Sequence, residues 1–301
     1  MRLTAQKPIS AGLSLGLLVP LAGCGPSVLL PRGPIGSADR LILFDSLVIM
    51  LAIVLPTIAV GLAFAFWYRA SNTQARHRPG FVYSGRLELV IWSIPTLVIL
   101  FLAGLIWIGA HELDPAEPVA SNNAKALSVQ VVALDWKWLF IYPDQGVASI
   151  NQLVVPAGVP LHFAITSATV MNVFFVPQLG SMIYAMNGMR TQLNLLASDP
   201  GDYYGESAQF SGDGFSGMNF TLRAVPAEAF SSWVASTRGS GPVLDRAAYT
   251  GLLKQSLNVQ PYTYRAIDPR LFDAIVTQQL PPGEGPQTGR PAPDVHPTSG
   301  G

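Results

Sequence analysis

Two long stretches without a charged side chain constrain the fold of this chain more than any other feature. The first runs from Ser46 to Tyr68 and the second from Leu89 to Ala110. Each matches the ~20 apolar residues that a helix needs to cross the hydrocarbon core of a bilayer. Only 12% of all residues are charged, which is about half of the usual share in soluble domains. The sequence therefore predicts transmembrane helices at residues 41–68 and 87–110, joined by a connector at 69–86.

Both predicted helices contain an internal proline, Pro56 in the first and Pro95 in the second. A proline inside a helix removes a hydrogen-bond donor and leaves a carbonyl group free. In lipid this is tolerated where neighbouring helices or side chains satisfy the carbonyl. The prolines therefore indicate that the hairpin packs against a partner with several transmembrane helices.

The N-terminus carries the pattern of an export signal. Arg2 and Lys7 precede a mostly apolar stretch at residues 9–22, which is too short to span a bilayer comfortably. The residues Leu21-Ala22-Gly23-Cys24 then resemble a bacterial lipobox, in which the chain is cut before the cysteine and the thiol receives a lipid such as palmitate. The sequence predicts a signal peptide at 1–23 and a lipidated, exported segment at 24–40. The alternative is that Cys24, the single cysteine, is a buried structural residue after an ordinary cleavage.

Charge asymmetry orients the hairpin. The connector carries four arginines before any acidic residue, whereas three acidic residues closely follow the second stretch. The arginines are Arg69, Arg76, Arg78 and Arg86, and the acidic residues are Glu112, Asp114 and Glu117. Because basic residues are enriched on the cytoplasmic side, the connector is predicted to face the cytoplasm. The chain is thus expected to be a multi-pass protein of the bacterial inner membrane, with its main domain in the periplasm.

From residue 126 onward short β-rich segments alternate with turn residues. The predicted strands are 128–134, 136–142, 151–155, 161–167 and 192–197, which favours an all-β sandwich or barrel at residues 120–226 rather than a parallel α/β fold. Helices predicted at 227–236, 245–257 and 269–280 form a short helical C-terminal arm at 227–280. The proline- and glycine-rich tail at 281–301 is predicted to be disordered.

Four motifs resemble subunit II of the haem–copper oxidases, in its cytochrome bo-type ubiquinol oxidase branch. They are Leu87-Glu88 followed by Trp92 and Pro95, Asp135-Trp136-Lys137-Trp138, Val170-Met171-Asn172 with Phe174-Phe175-Val176-Pro177, and Gly214-Phe215-Ser216-Gly217-Met218. The resemblance covers residues 15–280, and the order and spacing of the motifs make a chance match improbable. It implies that the exported β domain is cupredoxin-like.

The resemblance also implies that a copper site has been lost. The copper-bearing relatives bind two copper ions through thiolates and imidazoles, ligands that suit copper. At the family's ligand positions this sequence has Asn172, Ser207, Gln209, Ser211, Phe215 and Met218. Only Met218 retains a ligand side chain, and Phe215 is expected to fill space that the metal would occupy. The chain is therefore expected to bind no metal and no cofactor.

Without a copper pair, the resemblance implies that a membrane quinol is the electron donor. Ubiquinol would be oxidised on a large partner, subunit I, which carries the haems and copper and pumps protons while reducing oxygen. The implied partners are subunit I, other oxidase subunits, ubiquinol and membrane lipid. Nucleic acid is not expected as a partner, because 18 basic residues balance 18 acidic residues and no phosphate-tracking basic groove is evident.

Three residues have candidate roles beyond the lost copper site. Glu88, at the cytoplasmic end of the second predicted helix, matches the family's acidic residue at the mouth of a proton channel; the alternative is a carboxylate that pairs with Arg86 or is solvated. Trp136 and Trp138 are expected to share one face of a strand. They either pack the domain against the large subunit or lie near the quinol pathway.

Two other functions remain as alternatives. A non-enzymatic membrane lipoprotein, acting as a periplasmic binding or assembly module, explains the lost ligands equally well. It does not explain the acid-Trp-Pro pattern at residues 88–95 or the full set of motifs. A copper-bearing oxidase subunit is contradicted by Ser207, Ser211 and Phe215.

Overall fold

The computed structural model describes residues 27–76, 78–119 and 125–285. Two long apolar helices come first, α1 at Pro34–Trp67 and α2 at Gly85–Glu112, with Pro56 and Pro95 inside them. Both are long and apolar enough to cross a membrane, and their most apolar windows are not buried against any other described residues. The helical hairpin predicted from the uncharged stretches is thus present, and α1 begins upstream of the expected boundary.

The segment before α1 attaches the hairpin to the rest of the protein. The backbone N–H of Arg32 donates to the carbonyl of Gln178 at 2.8 Å, and the N–H of Ser198 donates to the carbonyl of Arg32 at 2.9 Å. Gly36, in the first turn of α1, donates to the carbonyl of Leu179 at 3.0 Å. These bonds between sequence-distant backbones fix where the helices emerge from the β domain.

The β domain consists of two sheets facing each other. Its strands are β1 (Leu127–Leu134), β2 (Lys137–Tyr142), β3 (Val147–Ile150), β4 (Gln152–Pro156), β5 (Pro160–Ser167), β6 (Asn172–Phe175), β7 (Ile183–Ala185), β8 (Thr191–Leu196), β9 (Gly201–Ser207) and β10 (Asn219–Val225). One sheet has the order β3-β2-β1-β5-β8, and the other has the order β4-β10-β9-β6-β7. Most pairs are antiparallel, but β1 pairs with β5 and β10 with β4 in parallel. The predicted all-β domain is confirmed.

Aromatic side chains from both sheets fill the space between them. Phe174 and Phe220 stack with ring centroids 5.1 Å apart, and Trp138 meets both rings edge-on. Such pairs stabilise a core beyond the area that they bury. Gly205 is required next to them, because a Cβ atom at this position would collide with the ring of Phe220. The largest side chains of the domain thus lie at its centre.

Most of the C-terminal arm covers the other face of the larger sheet, whereas Phe230 and Val234 of its first helix pack with the core between the sheets. It contains α3 (Ala227–Gly239), β11 (Val243–Leu244), α4 (Arg246–Leu252), β12 (Tyr262–Tyr264), β13 (Ala266–Ile267) and α5 (Leu271–Val276). Leu252, Tyr264, Phe272 and other arm residues form a second buried cluster with Leu139 and Ile141 of β2. This two-sided burial explains why every residue of β2 is buried. The short helices predicted for the arm are confirmed. The arm also contains short strands that were not predicted, of which β12 extends the larger sheet by pairing with β3.

The disordered tail was predicted to begin at residue 281, but residues 281–285 are bonded to the rest of the protein. Gly283 donates its N–H to the carbonyl of Ala168 at 3.0 Å, and the carbonyl of Gly285 accepts a bond from the Gln255 side chain at 2.6 Å. Residues 281–285 therefore lie against the β domain, because their backbone groups find partners there. The rest of the tail, the signal peptide and Cys24 lie outside the described residues.

Candidate functional site

The positions matched to the lost copper ligands converge at one end of the smaller sheet. Asn172 is the first residue of β6, Ser207 is the last residue of β9, and Met218 directly precedes β10. The strand β9 pairs with β6 on one side and with β10 on the other. Three neighbouring strand ends therefore bring together residues that are far apart in the sequence.

Two of these positions are linked by a buried hydrogen bond. The hydroxyl of Ser207 donates to Oδ1 of Asn172 at 3.1 Å and accepts from the backbone N–H of Val173 at 3.4 Å. The Asn172 amide donates in turn to the carbonyl of Val170 at 3.2 Å. Both side chains are almost fully buried. A buried polar group is costly unless it is bonded, and this pair satisfies itself.

Ser211 and Met218 form a second pair beside the first. The Ser211 hydroxyl lies 3.9 Å from the Met218 sulfur, and both residues are buried. The backbone N–H of Ser207 donates to the carbonyl of Met218 at 3.2 Å, which joins the two pairs. Asn172, Ser207, Ser211 and Met218 are thus brought together in the structure, and we refer to these four residues as the polar cluster.

The other two matched positions, Phe215 and Gln209, lie outside the polar cluster. Phe215 starts a short 3₁₀ turn and is only half-buried, with its ring edge-on to the exposed Phe210 at 5.6 Å. Gln209 is also half-buried, and its carbonyl accepts from the Ser207 hydroxyl at 3.3 Å. The expectation that Phe215 fills the interior of the site is therefore wrong, since this ring packs at the surface.

The polar cluster does not fit a copper ion. It offers an amide, two hydroxyls and one thioether, without a thiolate or an imidazole, which are the ligands that retain copper. None of the buried side-chain atoms that lack a hydrogen-bond partner in the described structure belongs to the cluster. Nor do the described ranges contain three or more His, Cys, Asp or Glu side chains grouped to hold a metal.

The turn between β1 and β2 supports the loop that carries Ser211. Asp135 and Trp136 form this turn. The prediction that Trp136 and Trp138 share one face of a strand is therefore wrong. Trp136 has a φ of 64°, a left-handed conformation that is unusual for a bulky residue. Its indole donates to the carbonyl of Ser211 at 3.1 Å, and a Cβ atom at Gly214 would collide with it. This packing compensates the cost of the backbone conformation.

Both tryptophans lie inside the domain. Trp136 and Trp138 belong to the core between the sheets, and neither side chain is exposed in this chain. The indole N–H of Trp138 has no hydrogen-bond partner among the described residues. Any effect of either tryptophan on a partner would therefore pass through the loops that it supports.

The same turn buries a charged pair that the sequence analysis did not select. Lys137 donates to the carbonyl of Lys254 at 2.8 Å and to the hydroxyl of Ser256 at 2.5 Å, both in the C-terminal arm. Asp135 accepts from the Thr169 hydroxyl at 2.6 Å. Burial lowers the pKa of Lys137 to about 8 despite the nearby charge of Asp135, and burial raises the pKa of Asp135. Two charged residues within otherwise apolar strands were the signal that could have revealed this pair.

Glu88 lies apart from the polar cluster, in the first turn of α2. Its side chain is exposed, and no ion pair joins it to Arg86 in the described structure. An acidic residue at this position interacts favourably with the positive end of the helix dipole.

Two protein families match the part of the chain that follows the hairpin. Residues 145–225 match the family described as cytochrome c oxidase subunit II, periplasmic domain. Residues 238–283 match the family described as the COX aromatic rich motif. The first match identifies the two-sheet domain as cupredoxin-like, as predicted, and the second match covers most of the C-terminal arm.

Similar proteins extend the match to the hairpin. The chain is 49% identical to ubiquinol oxidase subunit 2 of Acetobacter aceti over 278 residues, which covers 92% of this chain and 90% of the relative. It is 42% identical to cytochrome bo(3) ubiquinol oxidase subunit 2 of Pseudomonas aeruginosa, again over 92% of this chain and 84% of the relative. Among solved structures, the periplasmic domain of cytochrome oxidase subunit II from Bradyrhizobium japonicum is 26% identical, with a TM-score of 0.36, over 39% of this chain and 96% of that chain.

These similarities decide between the alternative functions. A lipoprotein with an unrelated binding role would not share its sequence with oxidase subunits across both the helical hairpin and the β domain. The two apolar helices and the periplasmic oxidase domain fit a protein of the inner membrane. The chain belongs to the ubiquinol oxidase subunit 2 family and is the second subunit of a respiratory terminal oxidase.

Proposed function

We propose that this chain is the subunit of a quinol-driven oxidase that carries no redox centre of its own. Ubiquinol is the electron donor of the complex, and its oxidation takes place on the large subunit I. The haems and copper of the oxidase belong to that partner. The observation that carries this proposal is the polar cluster, whose buried hydrogen-bonding groups satisfy one another and leave no donor set for copper.

The physical argument concerns the cost of binding a metal there. A copper ion would have to displace the bond between Ser207 and Asn172 and would gain only neutral oxygen donors and the Met218 thioether. Soft thiolates and imidazoles bind copper far more strongly than such groups do. A one-electron donor such as a cytochrome c therefore has no entry site in this chain, which is consistent with a quinol as the reductant.

We further propose that Glu88 contributes to proton entry into subunit I. Acidic residues at the boundary of a membrane helix often mark proton pathways. The exposed side chain of Glu88, its place in the first turn of α2 and its lack of an ion pair with Arg86 support this role. Protons would be collected from the cytoplasmic side, where the arginine-rich connector is expected to lie.

The membrane topology follows from the same charge pattern. Both helices cross the inner membrane, the connector is cytoplasmic, and the β domain is periplasmic. The segment preceding α1 supports a shared side for the N-terminus and the β domain, because its backbone bonds to residues 178, 179 and 198. Cys24, at the end of the apolar leader, would carry a lipid that acts as a second tether.

For Trp136 and Trp138 we propose a packing role rather than direct contact with the quinol. Trp136 holds the loop of Ser211 in place, and Trp138 packs in the core against Phe174, which lies on the strand that begins with Asn172. The surface above them would then contact subunit I in a fixed shape. A quinol could not reach either ring without opening the domain, because both are buried.

Purification of the intact complex through a tag on this chain tests the proposed function. The preparation is expected to show a haem difference spectrum between reduced and oxidised states and to consume oxygen with ubiquinol-1, but not with reduced cytochrome c. Copper analysis of this chain after separation from subunit I is expected to find none. A haem-free preparation would instead support a binding module, and bound copper with cytochrome c oxidation would contradict the proposal.

A further inference from the structure

In the part of the connector that the structure describes, hydrogen bonds give the chain after α1 a defined turn. The Asn72 side chain donates to the carbonyl of Trp67 at 2.6 Å, and its backbone N–H donates to the carbonyl of Arg69 at 2.9 Å. The N–H of Gln74 donates to Oδ1 of Asn72 at 3.1 Å. Asn72 thus folds the chain back directly after α1 ends. Because the connector joins the ends of two transmembrane helices, it lies at a membrane surface.

A cleft of about 620 Å³ opens within this connector. The residues that shape it are Tyr68, Arg69, Asn72, Arg76, Arg78 and Phe81. Three guanidinium groups therefore border one cavity. The volume is sufficient for a group larger than a simple ion, since binding pockets for small molecules start at about 300 Å³.

The positive charge of the cleft is not neutralised by the described part of the chain. Arg69 is oriented by bonds to the Ser71 hydroxyl at 3.0 Å and the Phe66 carbonyl at 3.2 Å, neither of which carries a charge. Arg76 and Arg78 are exposed, and neither guanidinium group has an ion pair or hydrogen bond to another described residue. A complementary ligand must therefore be an anion with several acceptor oxygens. Guanidinium groups bind phosphate through paired hydrogen bonds, which makes a phosphate group the best match.

Apolar side chains at the rim indicate what the phosphate is attached to. Tyr68 and Phe81 border the cleft, and Val82 and Tyr83 follow directly in the sequence. All four are exposed, with Val82 at 90%. Aromatic residues with this placement lie at the level of lipid headgroups, where one end is apolar and the other is wet. A soluble phosphate compound would gain nothing from this rim, whereas the acyl chains of a lipid would lie along it and along α1 and α2.

From these observations we propose that the connector cleft binds the headgroup of an anionic phospholipid, whose phosphate oxygens are held by Arg76 and Arg78. Basic pockets beside transmembrane helices suit such headgroups. This lipid site takes no part in electron transfer from the quinol or in proton entry. Its function is to fix the hairpin at a defined depth and rotation in the membrane, in addition to the contacts that the helices make with partner subunits.

The test uses the purified oxidase complex in detergent, titrated with phosphatidylglycerol and followed by native mass spectrometry. Phosphatidylcholine and inorganic phosphate are the comparison ligands. The variants are Arg76→Gln with Arg78→Gln, and Arg76→Lys with Arg78→Lys. The lysine pair keeps the charge that orients the hairpin but loses paired hydrogen bonds. Arg86→Gln is the matched control, because Arg86 lies outside the cleft on the same side.

The glutamine pair is expected to weaken binding of phosphatidylglycerol by about tenfold or more, the lysine pair by a few-fold, and the control by less than twofold. Phosphatidylcholine should bind weakly to all of them, and inorganic phosphate should not compete. The proposal is overturned if the glutamine pair binds phosphatidylglycerol like the wild type. It is also overturned if inorganic phosphate competes equally, or if crosslinking from position 76 or 78 reaches carboxylates of another subunit in place of lipid.

Discussion

The hairpin and the β domain are stabilised in opposite ways. The apolar side chains of α1 and α2 point away from the chain itself; Trp92 and Phe101, for example, are 74% and 71% exposed. In the β domain the side chains of similar size, such as Trp138 and Phe174, are fully buried by the chain's own residues. The hairpin therefore depends on lipid and partner helices, whereas the β domain contains its own core. Substitutions in the hairpin should act on the complex, and substitutions in the β domain should act first on the domain itself.

The largest expected effect is the gain of a metal in the β domain alone. The strand ends that carry the polar cluster are held by the domain core, so new ligands at residues 172, 207 and 211 should converge without the hairpin, and a histidine at position 215 would have to turn inward from its 3₁₀ turn to join them. The substitutions are Asn172→His, Ser207→Cys, Gln209→Glu, Ser211→Cys and Phe215→His, with Met218 retained. In a soluble fragment of residues 120–285 they should convert a domain without copper into one with a copper pair, since thiolates and imidazoles select copper.

Metal analysis, absorption and electron paramagnetic resonance measure this outcome. A bridged pair gives intense sulfur-to-copper absorption and an unpaired electron shared by both ions. The unsubstituted fragment is the control and should show neither signal. If the folded variant binds only isolated ions or none, the assignment of the six ligand positions is incorrect.

Removal of a core aromatic residue is expected to have the largest effect on stability. Trp138→Ala should lower the free energy of unfolding of the β domain by about 3–5 kcal/mol, because it leaves a large cavity between the sheets. Trp138→Phe should cost less, since the indole N–H has no partner to lose among the described residues. Trp92→Ala, on the exposed face of α2, should leave unfolding of the domain unchanged. Near-ultraviolet circular dichroism of the full chain in detergent, recorded against urea, compares the three variants.

The buried pair of Asp135 and Lys137 should make the unfolding free energy of the β domain depend on pH. Burial lowers the pKa of Lys137 from 10.5 in the unfolded chain to about 8 in the folded domain. Between these values the unfolded chain binds more protons than the folded domain, so stability rises with pH through this window. The gain is at most about 3 kcal/mol.

The variant Lys137→Met isolates this contribution. Its stability should lack the rise above pH 8, while both proteins share the titration of all other groups. Urea unfolding of the fragment of residues 120–285 at several pH values provides the comparison. Equal slopes for the two proteins would mean that Lys137 is not responsible for the dependence.

In the hairpin, loss of a carboxylate should reduce catalysis without affecting the fold. Glu88→Gln is expected to slow proton-coupled oxygen reduction by the assembled oxidase several-fold, because a proton-collecting group is removed at the membrane boundary. Glu112→Gln, at the other end of α2, is the matched control and should have little effect. Quinol-driven oxygen uptake and proton release in vesicles measure both. Unchanged turnover and pumping in Glu88→Gln would rule out the role in proton entry.

The smallest effect is expected at the proposed lipid tether. Cys24→Ser should abolish lipidation yet reduce the amount of assembled oxidase by less than about twofold, since two transmembrane helices already insert in an effectively irreversible way. Mass spectrometry of the mature chain and haem content of the membranes report the two effects separately. An unmodified Cys24 in the wild-type protein would exclude the tether altogether.

The sequence predicted the elements whose patterns are local. Uncharged stretches of bilayer length gave the hairpin, and β-rich segments between turn residues gave strands at 127–134 and 160–167. Short strands such as β7 and β12 were missed, because three residues carry little periodicity and pair only after the sheet has formed. The turn at Trp136 was misassigned for a similar reason: its left-handed conformation is stabilised by the distant Ser211 and Gly214.

At the candidate site, the alignment of motifs located the polar cluster but not its hydrogen bonds. Asn172, Ser207, Ser211 and Met218 meet as expected because they lie at the ends of adjacent strands. The outward position of Phe215 and the link from Lys137 to Ser256 depend on side-chain packing between segments that the sequence alone does not relate.

The pairing of β12 with β3 bears on how this protein is made. The strand β3 is short and apolar, and a bare sheet edge of this kind is a template for pairing with another chain. The residues that cover it, Tyr262–Tyr264, are among the last of the domain to be synthesised and exported. Until they arrive, the edge is open to aggregation. A premature stop before residue 262 would therefore produce a periplasmic fragment that recruits chaperones and proteases, even though most of its core residues are present.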